Sequence, residues 1–152
     1  MRERIRIDDD GVRRLLESSG TVQVASNGPH GWPHLVPMWF VLDEGLITFT
    51  TYATSQKVKN LQRDPRIAVL VESGDVYGQL RGVMIEGEAE LIIGDPRQTA
   101  LAMATSAARR AGQPPPTFND LPDPLPGAAH KRCVVRIHPL RYRSWDHSKL
   151  TG

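Results

Sequence analysis

Apolar and polar residues alternate with a period of two along most of this chain, and three stretches switch to the helical period. From Thr21 onward, Val22 and Val24 share one face of an extended run while Thr21, Gln23 and Ala25 share the other, which predicts a half-buried strand. Asn27-Gly28-Pro29-His30-Gly31 has turn composition, and Trp32 to Leu42 is rich in aromatic and β-branched residues, so the two runs predict a hairpin. After the turn Asp43-Glu44-Gly45, the run Leu46-Ile47-Thr48-Phe49-Thr50-Thr51-Tyr52 is a strand by propensity. Arg66 to Glu72, Val83 to Ile92 and Cys133 to Ile137 complete six strands, the last extendable over Arg141 to Trp145 beyond Pro139. Gly87, in the middle of the fifth, marks a bulge or a bend at a barrel corner.

The helical stretches carry their own punctuation. Asp8-Asp9-Asp10 supplies an N-cap and negative charge at the positive end of the helix dipole, ahead of Val12, Leu15 and Leu16 at helical spacing. Ser55 to Arg63 follows Thr54 as N-cap, turns Val58 and Leu61 inward, and stops at Asp64-Pro65. A third helix starts after Asp95-Pro96 and runs to about Arg110, where Arg109 and Arg110 complement its dipole. Residues 114–126 hold six prolines and no periodicity, which predicts an irregular loop inside one domain spanning 1–152. Six strands in consecutive hairpins with three inserted helices predict a mainly β, antiparallel barrel or sandwich and argue against a parallel doubly wound sheet.

At 152 residues and 39% hydrophobic content the chain can bury a self-sufficient core. Cys133 is the only cysteine, so no internal disulfide and no multi-cysteine metal motif is available, and in an apolar strand it reads as a core residue. With a charged start and no apolar run near the roughly 20 residues a membrane span needs, the chain is expected to be cytoplasmic and without a span. A formal charge of +2 with scattered basic residues predicts no nucleic-acid partner. The 15 arginines against 4 lysines, with many Gly, Pro and Ala, fit a high-GC bacterial genome. Neither G-x-G-x-x-G nor a G-x-x-x-x-G-K-[ST] phosphate loop occurs. His30 and His34 lie across a turn and read as exposed hairpin residues, with no metal site. Trp39 and Phe40 point to opposite faces of a regular strand, one into the core and one toward a groove or a partner.

The sharpest chemical signal is the passage Thr50-Thr51-Tyr52-Ala53-Thr54-Ser55-Gln56-Lys57-Val58-Lys59-Asn60-Leu61. Hydroxyls, free N–H groups and two of the four lysines meet there at a helix N-terminus, an arrangement that can bind a phosphate and that a capped, solvated surface helix also explains. No Ser/His/Asp or Cys/His constellation is evident, and no catalytic residue is assigned.

Three blocks in this order resemble the flavin-binding split β-barrel proteins related to pyridoxamine 5'-phosphate oxidase. They are Thr21 to Ser26 with Gly31 to Phe40; Ile47 to Thr51 with Ser55 to Arg66; and Gly82 to Ala89. Within that superfamily the chain resembles the actinobacterial branch that uses the deazaflavin coenzyme F-420. The resemblance implies a six-stranded antiparallel split β-barrel with peripheral helices, forming a homodimer with cofactor grooves at the subunit interface. It implies that Lys57 contacts the cofactor phosphate with Ser55, Gln56, Lys59 and Asn60, that Pro37, Met38 and Trp39 run past the ring, and that Thr50 and Thr51 flank it. Tyr77, Gln79 and Arg81 would approach from the partner subunit. The expected activity is hydride transfer from reduced F-420 to an unsaturated small-molecule substrate, with Tyr77, a histidine or solvent as proton donor. Alternatives are an FMN-dependent oxidase or reductase on the same fold and a protein that carries the cofactor without turnover. An oligoglutamate tail on F-420 would call for a basic path from Lys57, with Lys59 and Arg63 as candidates. The C-terminal run Arg141 to His147 departs from the pattern of dedicated vitamin B6 oxidases.

Overall fold

The computed structural model describes residues 2–151, and its sheet has one more strand than the sequence pattern predicts. The strands are β1 (Thr21–Asn27), β2 (Pro33–Trp39), β3 (Val41–Asp43), β4 (Leu46–Tyr52), β5 (Arg66–Ser73), β6 (Arg81–Ile92) and β7 (Arg132–Asp146). All neighbours pair antiparallel, in the order β2-β1-β5-β6-β7-β4-β3. β2 and β3 therefore sit at opposite edges of the sheet although only Phe40 separates them in the chain. A single residue can bridge two edges only if the sheet rolls until they meet. The run Trp32 to Leu42, expected as one strand, is thus two, and Phe40, 2% exposed, is the seam where the roll closes.

The period-two faces behave as expected. Val22, Val24, Ile47, Phe49, Val69, Val71, Val83, Ile85, Val135 and Ile137 all point into one buried cluster with Phe40. β6 and β7 are the longest strands, and their register shifts between Glu86 and Gly87, where a Cβ on Gly87 would lie 2.4 Å from the His138 carbonyl oxygen. The glycine is there because two backbones approach closely at this bulge, opposite Pro139.

Four helices surround the sheet: α1 (Asp9–Ser18), α2 (Gln56–Arg63), α3 (Pro96–Arg110) and α4 (Gly127–Lys131). Asp8 caps α1, its carboxylate accepting from the Gly11 N–H at 2.7 Å, and Leu15 and Leu16 enter the core. Val58 and Leu61 do the same for α2, but its N-cap is Ser55 and not Thr54. α4, five residues after the Pro-rich loop, was not anticipated, because one turn is too short to show a period. Among the described residues no helix is long and apolar enough to cross a membrane.

Candidate functional site

β4 runs almost directly into α2, and the short connection sets the chemistry of the corner. The Ser55 N–H donates to the Tyr52 carbonyl at 3.0 Å, tightening the turn, while the Ser55 hydroxyl makes no cap bond. That hydroxyl oxygen is buried and has no partner. Since buried polar groups in folded proteins are nearly always paired, a free one at a helix N-terminus is a vacancy for an acceptor-rich group. Two residues on, the half-buried Lys57 donates from Nζ to the Thr51 hydroxyl at 2.8 Å. Burial pulls the Lys57 pKa below the ordinary lysine range, the Cys133 thiol opposes that shift, and the Arg132 guanidinium adds to it. An anion bound here would reverse this shift by restoring favourable charge. Cys133 faces Thr51 across the sheet and is fully buried, and burial pushes its thiol up, with Lys57 partly offsetting, so it stays a neutral core residue.

Arg132 joins this corner to a cavity. It pairs with Tyr52 in the β4–β7 register, lays its guanidinium 4.5 Å from the Tyr52 ring centroid, and reaches toward the Thr50 carbonyl at 3.5 Å. The cavity, about 220 Å³, lies between α3 and the sheet, with Pro37, Met38, Trp39, Thr50, Ala102 and Arg132 on its walls. Of these, Pro37, Met38, Trp39 and Thr50 were expected from the sequence, and the fold gathers them although β2 is one edge of the sheet and β4 lies next to the other. Trp39 is 61% exposed while its neighbour Phe40 is buried in the core, so the expected division of the pair holds, although both touch the cavity.

Other expected residues are placed differently. The Gln56 amide donates to Asn60 Oδ1 at 2.8 Å, and Asn60, with no exposed surface, donates on to the Ser26 hydroxyl at 3.1 Å. Asn60 therefore ties α2 to β1 from inside. Lys59 is exposed and, two positions from Lys57, lies on another side of the helix. Arg63 is held by the Asn27 carbonyl and by Asn60 Oδ1, which removes it from a path leading away from Lys57. Tyr77, Gln79 and Arg81 lie at the far end of β7. Tyr77 packs on His147 with ring centroids 4.6 Å apart, and Arg81 Nε sits 3.2 Å from Asp146 Oδ2, an ion pair without hydrogen-bond alignment. Arg132 and Asp146 begin and end that 15-residue strand, so one chain does not bring Tyr77, Gln79 and Arg81 to Lys57.

Sequence reasoning missed Arg132. The basic run His130-Lys131-Arg132 was visible, but nothing local places it beside Lys57; the β4–β7 pairing does, reinforced by the Ala53 N–H donating to the Lys131 carbonyl at 3.0 Å. A larger hollow, about 670 Å³, opens between the first residues and the ends of β6 and β7, near Met84, Tyr142 and Trp145. Ser55 and α2 line neither cavity, but Arg132, which stands beside Lys57, lines the smaller one and joins it to that corner. Among the described residues, no three His, Cys, Asp or Glu side chains are grouped to hold a metal ion.

The donor set fits a phosphate-bearing flavin or deazaflavin: a free hydroxyl, helix N–H groups and an ammonium for the phosphate, and an aromatic-walled cavity for a ring. Comparison with known proteins agrees with this reading of the fold. The chain is 29% identical over 136 residues to the 5a,11a-dehydrotetracycline/5a,11a-dehydrooxytetracycline reductase of Streptomyces rimosus, covering 86% of this chain and 77% of that protein. The crystal structure of a conserved hypothetical protein from Mycobacterium tuberculosis superposes with a TM-score of 0.84 at 36% identity, over 100% of this chain and 92% of the other. A structure named as an F420 reductase matches with a TM-score of 0.63 at 22% identity, over 86% and 94% of the two chains, a likeness of fold. The family described as pyridoxamine 5'-phosphate oxidase matches residues 9–146, from the first helix to the last pair of the β6–β7 ladder, and the chain belongs to that family.

Proposed function

We propose that this protein is an oxidoreductase that binds reduced coenzyme F-420 along the cavity between α3 and the sheet and reduces an unsaturated small molecule. The observation that carries the reading is the buried, partnerless Ser55 hydroxyl beside Lys57 at the start of α2, with Arg132 linking that corner to the cavity. Ser55 and Lys57 hold the phosphate, and Arg132 supplies a second positive charge. Pro37, Met38 and Trp39 form one wall for the ring and Thr50 the other. Thr51 orients the Lys57 ammonium by accepting from it. When bound, the reduced deazaflavin supplies a hydride equivalent, and the substrate takes up one proton besides. The chain's contribution is then to hold ring and substrate close and keep water out. The reductase name of the Streptomyces relative supports this class of chemistry.

The active form in this reading is a homodimer. Tyr77, Gln79 and Arg81 reach a cofactor only if a second copy brings that end of its β7 to the cavity, and the exposed apolar side chains Leu35, Trp39 and Tyr142 are the surface such a copy would cover.

FMN is the second reading, and one observation favours it. Arg63, expected to receive an anionic tail, is engaged by Asn27 and Asn60, leaving a site whose buried donors match a single phosphate. A side-by-side fluorescence titration of the purified protein with F-420 and FMN separates the two. Micromolar F-420 binding with none of FMN supports the deazaflavin reductase, the reverse moves the protein to the flavin branch, and binding of neither refutes both.

A further inference from the structure

α3 ends in Arg109-Arg110, and both side chains leave the helix to grip the seam of the roll. The Arg109 guanidinium donates to the Phe40 carbonyl at 2.6 Å and to three carbonyls that finish α1, those of Leu16 at 2.8 Å, Glu17 at 3.0 Å and Ser19 at 2.7 Å. It also stands 4.6 Å from the Phe40 ring centroid. Arg110 lies 3.9 Å over the Trp39 ring and donates to the Gly20 carbonyl at 2.7 Å. A helix dipole would be complemented equally well by side chains extended into water, so these contacts exceed what the sequence suggested. They fix both residues at the crossing, Trp39 and Phe40, and these two line the candidate cavity.

We propose that Arg110, backed by Arg109, is a positioning residue for the ring-binding wall: it holds the indole of Trp39 at one inclination to the cavity. Among the described residues of one chain, the contact on the Trp39 ring is the Arg110 guanidinium. Trp39 is 61% exposed on an edge strand, and an exposed tryptophan without a fixed contact samples several rotamers. The planar guanidinium against one ring face removes that freedom, and its bond to Gly20 anchors it in turn. Gly20 takes part by having no side chain, because a Cβ there would lie 3.0 Å from Arg110 Nη1 and 3.2 Å from Cζ. A ring entering the cavity then meets a wall already in place and avoids the entropy of ordering it. This inference rests on the cofactor reading above.

The test uses the full chain with 5-fluorotryptophan at its three tryptophans, with the Trp39 resonance assigned by Trp39→Phe. Arg110→Ala is expected to shift and narrow the Trp39 ¹⁹F resonance while those of Trp32 and Trp145 stay put. It is also expected to weaken the cofactor that the wild type binds and the phosphate-free form of that cofactor's ring equally, by about fivefold, keeping their affinity ratio: F-420 with 8-hydroxy-5-deazariboflavin, or FMN with riboflavin. Lys57→Ala collapses that ratio, which separates the ring wall from the phosphate corner. Gly20→Ala nudges the guanidinium without deleting it, and is expected to move the Trp39 resonance in the same direction by a smaller amount. An unchanged Trp39 resonance in Arg110→Ala overturns the proposal whatever binds, as does a mobile Trp39 with wild-type affinity for both forms. If the wild-type chain binds neither F-420 nor FMN, the cofactor reading fails and the binding role of Arg110 falls with it, even where the ¹⁹F result stands.

Discussion

Replacing Lys57 by alanine removes the one ammonium held at the start of α2 and leaves everything around it in place. In the free protein the change is close to neutral. The variant loses a 2.8 Å bond to Thr51, whose hydroxyl is left buried without a donor, but it also relieves the burial that holds the Lys57 pKa down. In the complex the loss is larger, because a charge-assisted hydrogen bond to a phosphate contributes about 1.5–3 kcal/mol. That converts to roughly a 10- to 150-fold rise in Kd at room temperature. The assay is fluorescence titration with F-420 and FMN, alongside a thermal melt showing that the variant folds. The sign of the pH dependence follows from the same burial. The lysine charge is lost as pH rises through a pKa below the ordinary lysine value, so wild-type affinity declines at a lower pH than a solvated lysine would allow. Lys57→Arg retains its charge through that range and should flatten the decline. A Kd within twofold of wild type in Lys57→Ala would refute the placement of the phosphate.

Phe40→Ala empties the seam, where the ring is 2% exposed and backed by Arg109, and should cost about 3–5 kcal/mol in chemical denaturation; a loss below about 1 kcal/mol would mean the edges are held elsewhere. Asn60→Ala leaves the buried Ser26 hydroxyl without its donor and Gln56 without its acceptor, so a loss of about 1–3 kcal/mol is expected, and a melt identical to wild type would contradict the inner tie between α2 and β1. In acid, several carboxylates sit below their ordinary range in the folded chain: Glu90 through its bond from His138, Asp64 through Arg66 and Asn27, and Asp120 through Thr117. Burial pushes Asp146 up, but the Ser148 bonds and Arg81 outweigh it and leave it lowered. Their stabilisation is complete above the unfolded carboxylate pKa of about 4 and is lost as pH falls toward the folded values, so the melting temperature should drop steeply below about pH 4; a flat profile there would show these contacts contribute nothing.

Much of the fold was legible in local pattern because each strand buries one face and so must alternate. Val22 and Val24, Phe49, Val83 and Ile85, and Val135 and Ile137 were assignable to the core for that reason. Gly87 was legible as a bulge because a glycine inside a strand needs a close neighbour to explain it, and that neighbour is the His138 carbonyl. The break at Phe40 was not. A strand that changes edges keeps the same composition and nearly the same period, and where its two halves pair is set by residues far along the chain.

The candidate site divides along the same line. Ser55 and Lys57 could be proposed from the sequence because a strand, a hydroxyl and a lysine at a helix start lie within a few residues of one another. Arg132 beside Lys57 and Arg110 over Trp39 could not, because each pair is joined by nonlocal contact and not by spacing. The burial of Asn60 and the engagement of Arg63 belong with them, since both follow from α2 docking on β1. Side-chain periodicity is a property of neighbouring residues and survives in the sequence. Adjacency across a rolled sheet depends on which strands pair and on how far the sheet curls, and those are settled by the packing of the whole core.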